Sequence, residues 1–366
     1  MKWILYRYVA VTYLRFFLAI FGVVLAIFLM ADFVDRSKFY SGPGWVSAVI
    51  ELYAHKALLA IRQLAPAAML LGAGAAVSAL RKSGEVTALR SLGFGPRAVY
   101  APIGVTAAAM CLGLIVFDEK VVVPAGVRVD EITVGRFNTW GDWSFFFVPK
   151  RWFRVEDRIF HLRVGESRTG YEDVTVLTVS KDFKLRARMD AQTLRWVEGT
   201  TWRLTSVVER TFDDRGGTQV RTAPSLDLDL KVAGDAFYVR TGRPEQMYYP
   251  ELLEQIEIRK AVGISSQIWA LALHNRLAYP LAGLPAALLA IGLALRPGRR
   301  GHLTLALVEG LIVVTAMWGL MVISRALVVG ERLEPAAAAW MPTVLLSLGA
   351  AALWLRREGR LGWRGA

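Results

Sequence analysis

Six apolar runs, each about as long as a helix that crosses a bilayer, constrain this chain more than any other feature. At 1.5 Å rise per residue, a hydrocarbon core of ~30 Å takes about 20 helical residues. The runs Val9 to Phe33, Leu58 to Leu80, Ala98 to Phe117, Leu277 to Leu295, Leu303 to Ser324 and Ala336 to Leu355 are close to that length. Lipid offers no partner to backbone N–H and C=O groups, so a spanning segment must satisfy its own, and a helix does so within itself. Three spans before residue 118 and three after residue 276 are predicted. The composition agrees: 54% of 366 residues are hydrophobic and 12 are Trp, too apolar for a chain that covers its surface with charge.

Charge sets the orientation. Lys2, Arg7 and Arg15 precede the first span; Arg81, Lys82, Arg90 and Arg97 follow the second; Arg296, Arg299 and Arg300 follow the fourth; Arg356, Arg357, Arg360 and Arg364 end the chain. The alternate loops are balanced, with Arg36, Lys38 and Lys56 against Asp32, Asp35 and Glu51, and Arg325 and Arg332 against Glu331 and Glu334. Positive residues stay on the cytoplasmic side, which predicts both termini and the loop after span two there. The net charge of +13 therefore belongs to the lipid interface, not to a nucleic-acid-binding face. A cleaved leader at the first span would leave five spans and spoil this alternation, so the span is read as retained.

Between about Asp118 and Gly242 the pattern changes. "KLRARMDA" (Lys184 to Ala191) alternates polar and apolar residues, "TWRLTSVVERTF" (Thr201 to Phe212) nearly does, and "YEDVTVLTVS" (Tyr171 to Ser180) is rich in β-branched residues. "DDRGG" (Asp213 to Gly217) supplies a hairpin turn between two such runs. Short strands without helical period suggest an antiparallel sandwich or jelly roll outside the membrane. "YYPELLEQIEIRKAVG" (Tyr248 to Gly263) then reads as an amphipathic helix leading to span four.

Chemistry-bearing motifs are missing. There is no G-x-x-x-x-G-K-[ST] loop and no H-E-x-x-H, and His55, His161, His274 and His302 are dispersed. Glu309 is taken as the one clear carboxylate inside a span, read as an interhelical ion pair or a group facing a wet cavity. Cys111, alone in an apolar run, is read as helix packing.

"SGEVTALRSLGFGP" (Ser83 to Pro96) stands out among the loops. Ser83 is placed as its N-cap, Val86, Leu89 and Leu92 recur every three residues, and Gly93, Gly95 and Pro96 end the helix. Such a helix can enter a groove on another protein, as when a permease takes force from an ATPase. It can equally lie flat at the lipid interface.

Five segments together resemble one family: "YRYVAVTYLRFF", "FVDRSK", "SGEVTALRSLGFGP", "YYPELLEQIEIRKAVG" and "HNRLAYPLAGLPAALLA", in that order along the chain. The chain resembles the LptF/LptG permeases, and "FVDRSK" with "RWFRVEDRIFHL" (Arg151 to Leu162) is more similar to LptG. The resemblance implies an α+β membrane protein with six transmembrane helices in two groups of three and a periplasmic antiparallel β-jellyroll between spans three and four. Its parts would be 1–117, with a coupling helix near 83–93; 118–243, the jellyroll; 244–266, the connecting helix; and 267–366. It implies a multi-pass protein of the bacterial inner membrane that extracts lipopolysaccharide and passes it to a periplasmic β-jellyroll bridge.

The implied partners are an LptF-type second permease, an LptB-type ATPase dimer, an LptC-type membrane-anchored jellyroll protein and lipopolysaccharide. No cofactor is implied in this chain, ATP and magnesium being held by the partner ATPase, and no catalytic or metal residue. Glu85 matches the family's coupling acid, flanked by Leu89 and Arg90; Arg36, Lys38, Arg276 and Arg325 lie where basic residues meet lipid A phosphates. Asp32 stands where some members carry a basic residue, which shifts the phosphate contact toward Arg36 or weakens it. Two other classes are carried alongside: a force-transmitting subunit of another ABC envelope complex, which typically has four spans, and a membrane-embedded lipid-modifying enzyme, which would want a carboxylate pair or metal-ligand cluster.

Overall fold

A computed structural model describes residues 2–137, 151–164, 170–180, 182, 184–213, 217–230, 243–296 and 302–360. Arg299, Arg300 and Arg364 lie outside the described residues. The chain divides into two units, a helical one (1–137 and 270–366) and a β unit (138–269).

In the helical unit, six helical segments are long and apolar enough to cross a membrane. They are α1 (Lys2–Arg36); α2 (Trp45–Lys82); α4 (Arg97–Phe117), continued by a π-turn and α5 (Val123–Phe137); α7 (Gln267–Leu281) followed by α8 (Gly283–Ala294); α9 (Leu303–Val329); and α10 (Pro335–Arg360). The short α3 (Glu85–Ser91) joins α2 to α4. The second span is the hub, with 83% of its most apolar window buried, against 6% for the first.

Composition explains the hub. "APAAMLLGAGAAVSAL" (Ala65–Leu80) is mostly Ala and Gly, and small side chains let helix backbones approach where lipid supplies no hydrophobic drive. A Cβ on Gly72 would lie 2.9 Å from the Cα of Phe17 in α1. Met69, Ala73, Ala76 and Val77 pack there with Tyr13 of α1, Ile103 and Cys111 of α4, Ala286 and Ile291 of α8, and Met317 of α9.

Several span limits differ from the sequence expectation, the second starting at Trp45 and not Leu58, and two of them share one physical reason. The third span was expected to end at Phe117 and the β domain to start at residue 118; instead residues Asp118–Val122 wind as a π-turn and α5 carries the helix to Phe137. The fourth was expected to start at Leu277, yet α7 starts at Gln267. Asp118, Glu119 and Arg276 ended the apolar runs, but in the fold Arg62 meets Asp118 at 3.1 Å and Arg276 pairs with Glu119. Paired charges let the helices continue where hydropathy stops. Glu309 is not alone: Asp32, Asp118 and Glu119 also lie in helices long and apolar enough to cross a membrane.

The β unit holds six strands, β1 (Arg151–Val155), β2 (Arg158–Val164), β3 (Gly170–Val179), β4 (Leu185–Glu198), β5 (Thr201–Phe212) and β6 (Thr218–Asp229). They pair antiparallel in chain order as one meander, β1 to β6, among the described residues. Period-two alternation sorts the faces. Trp202 and Leu204 are buried with Phe160, Leu194 and Val176, while Arg203 points out and clasps Asp227 on β6 through bonds of 2.7 and 2.9 Å. Burying each large apolar side chain contributes roughly 1.5–3 kcal/mol. Ile258 and Val262, at the end of α6 (Tyr249–Ala261), belong to the same core. The turn signal at Asp213–Gly217 holds, since Asp213 N–H bonds the Gly217 carbonyl at 2.9 Å and Phe212 faces Thr218.

Candidate functional site

The seven-residue α3 is bounded by glycine on both sides. Gly84 precedes it at φ +78° and Gly93 follows at φ +80°, a region that residues with a Cβ rarely enter. Its end closes as a Schellman motif: Phe94 N–H reaches the Leu89 carbonyl and Gly93 N–H the Arg90 carbonyl, each at 3.0 Å. The start corrects the sequence reading. Gly84, not Ser83, is the N-cap; Ser83 caps the end of α2, its hydroxyl within reach of the Leu80 carbonyl (3.2 Å) and donating to Glu85 Oε1 (2.7 Å). Glycine there releases the strain of a tight helix-to-helix corner, and serine then becomes available to Glu85.

The expected apolar stripe is divided. Val86 is buried in the bundle core, Leu89 is half-buried, and Leu92 is 68% exposed beside exposed Arg90. Glu85 is half-buried and accepts a hydrogen bond from Ser83. One side of α3 is thus fastened to the bundle, while Arg90 and Leu92 stand outward. The sequence pattern located the helix but not this rotation, which depends on the corner at Gly84.

At the other end of α1 lies a polar knot. Asp32 Oδ1 accepts from Arg36 Nε at 2.9 Å, and Asp32 Oδ2 accepts from Tyr53 (2.8 Å) and Lys56 (2.5 Å) on α2. The Tyr53 hydroxyl also meets that of Tyr40 at 3.1 Å. Asp32 therefore holds two cations at once. Tyr53 and Lys56, three residues apart on one face of α2, were missed as a unit; a lysine inside an apolar helix was the available signal.

The remaining expected phosphate contacts are dispersed. Lys38 is exposed in the 3₁₀ turn Ser37–Phe39, its Nζ 5.1 Å from the Phe39 ring centre. Arg325 is exposed on α9. Arg276, by contrast, is only 4% exposed and engaged by Glu119.

A family model described as "Lipopolysaccharide export system permease LptF/LptG" matches residues 7–356. A search of curated proteins gives no match.

Proposed function

This chain belongs to the LptF/LptG family of lipopolysaccharide export permeases, and we propose that it works as an LptG-type subunit driven by a separate ATPase. As a member of that family it is a transport permease rather than an enzyme. In this reading α3 docks in a groove of an LptB-type ATPase dimer on the cytoplasmic side, through Glu85, Leu89 and Arg90. An LptF-type permease completes the membrane pair, and an LptC-type jellyroll protein continues the path from the periplasmic β unit. ATP and magnesium belong to the ATPase.

The observation that carries the reading is α3 itself: a short helix fixed to the bundle by Val86, bounded by two left-handed glycines, with Arg90 and Leu92 turned outward. A rigid segment of that kind passes a push to its bundle. On the opposite side, Arg36, Lys38 and Arg325 offer charge to lipid A phosphates, because ion pairing near lipid is weakly screened. Asp32 would have to yield Arg36 and Lys56 for a phosphate to take both. Arg276, buried against Glu119, supports this end from within and does not touch phosphate.

Co-purification and turnover test the proposal. The chain should carry an ATPase with it, and the turnover of that complex should rise with added lipopolysaccharide. Nucleotide hydrolysis by the purified chain alone would overturn the reading.

A further inference from the structure

Arg81, in the last turn of α2, serves two helix ends at once. Its carbonyl accepts from Gly84 N–H at 3.1 Å, and Gly84 is the cap from which α3 starts. Its guanidinium reaches the other way: Nη1 donates to the carbonyl of Ala294 and, at 3.2 Å, to that of Arg296. Both carbonyls lie at the end of α8, where a helix has no N–H of its own left to offer them. Leu295 N–H is spent on Ile291 and Arg296 N–H on Leu293. One side chain of α2 thus closes the end of α8. The chain neighbours Leu80 and Leu295 are 3% and 2% exposed, so the bonds stand at a dry edge of the core, where water competes poorly for them.

The rest of the contact explains why this point matters. α2 and α8 run parallel, with Met69 against Gly283, Gly74 against Ala290 and Arg81 at Ala294. Parallel helices bring their negative ends together, and a guanidinium shared between them offsets that repulsion. Between the ends the contact is made of small residues: a Cβ on Gly74 would stand 3.7 Å from the Ala290 Cβ, and Ala73, Ala76, Ala286 and Ala287 are buried in the same core. Such a surface holds two helices close, yet it offers few long side chains that interlock lengthwise, and packed helices of this kind can shear. Tyr279 of α7 donates to the Gln63 carbonyl, but that bond is 18 residues up α2 from Arg81, ~27 Å from α3.

We propose that Arg81 is the positioning residue that carries a displacement of α3 into the fourth span. The proposal rests on the reading of α3 as the ATPase dock and adds what lies behind it: α2 and α8 answer a push on α3 as one body because Arg81 bonds α8 with its side chain and Gly84 with its backbone. Without the guanidinium, α2 slides along α8 and the push is lost within the bundle.

Two measurements test it. In the complex with the co-purified ATPase, Arg81→Met should keep ATP turnover within about two-fold of wild type while lipopolysaccharide extracted per ATP falls about five-fold or more. Arg81→Lys, whose ammonium can still donate to a carbonyl, should keep at least about half of that ratio, and Arg81→Gln, which keeps one amide donor, is read beside it if Arg81→Met does not assemble. Turnover and extraction falling together at a constant ratio would show that Arg81 only stabilises the bundle, and the proposal fails. The second measurement needs no ATPase. Spin labels at Leu92→Cys and Arg296→Cys in the full chain in nanodiscs, with Cys111→Ala, should give one narrow distance that Arg81→Met broadens. An unchanged distribution refutes the latch itself. If the latch holds but Glu85→Lys leaves extraction unchanged, the docking reading is what fails, and transmission through Arg81 falls with it.

Discussion

Arg62 of α2 and Asp118 meet at 3.1 Å where the third span leaves α-helical winding for a π-turn. The next residue, Glu119, turns to Arg276 of α7. Consecutive helical side chains point about 100° apart, so neighbouring acids serve two different helices. Irregular turns of this kind concentrate at functional positions, and this one ties three spans together through charge.

Removing one partner should be costly. Asp118 has only 3% of its side chain exposed, and a buried pair broken on one side typically loses about 3–5 kcal/mol. Arg62→Leu should therefore lower the melting temperature sharply, and Arg62→Leu with Asp118→Leu should recover much of the loss. A double-mutant cycle on detergent-solubilised protein measures the coupling; additive losses would show that the pair is not a unit.

Glycines on the same helices should respond with opposite signs. A methyl at Gly72 meets the Phe17 backbone, so Gly72→Ala should destabilise by roughly 1–3 kcal/mol by overpacking. Gly113 in α4 has nothing within 4 Å of a built Cβ, and Ala there should be neutral or gain up to about 1 kcal/mol from helix propensity. Thermal melts of the two variants compare them directly.

If α3 docks on an ATPase as proposed, reversing charge there should separate hydrolysis from transport. Glu85→Lys replaces the acceptor of the Ser83 bond and is expected to leave ATPase turnover in the complex while lipid extraction falls at least about ten-fold. Unchanged extraction by the reversed variant refutes the assignment.

The β unit carries an acid-sensitive link. Burial pushes the Asp190 carboxyl up, but hydrogen bonds from Arg188, Thr175 and Arg210 outweigh it and hold the group below its usual value. A lowered folded pKa contributes stability that is present above the ordinary carboxylate value of about 4 and is lost as pH falls through the folded value. The protection of β4 amides in the full chain, that is, their exchange relative to the intrinsic rate at each pH, should fall below about pH 4, and Asp190→Asn should flatten that dependence.

Much of this was legible in the sequence. Period-two alternation put Trp202 and Leu204 inside and Arg203 outside, and apolar length found all six spans. The same alternation would place Leu185 inside, yet it is 40% exposed, at the start of β4, where the pairing with β3 shifts between Thr178 and Val179. A one-residue slip exchanges the faces. The knot at Asp32 and the pairs at Asp118 and Glu119 could not be read locally, because their partners lie 24, 56 and 157 residues away along the chain.

The first helix touches its own bundle along Val9, Tyr13 and Phe17, a single line of residues four apart, and Phe17 sits in the notch left by Gly72. The knot of Asp32 with Tyr53 and Lys56 on α2 pins the far end of that line, so the helix is a strut clamped at both ends and not a free lever.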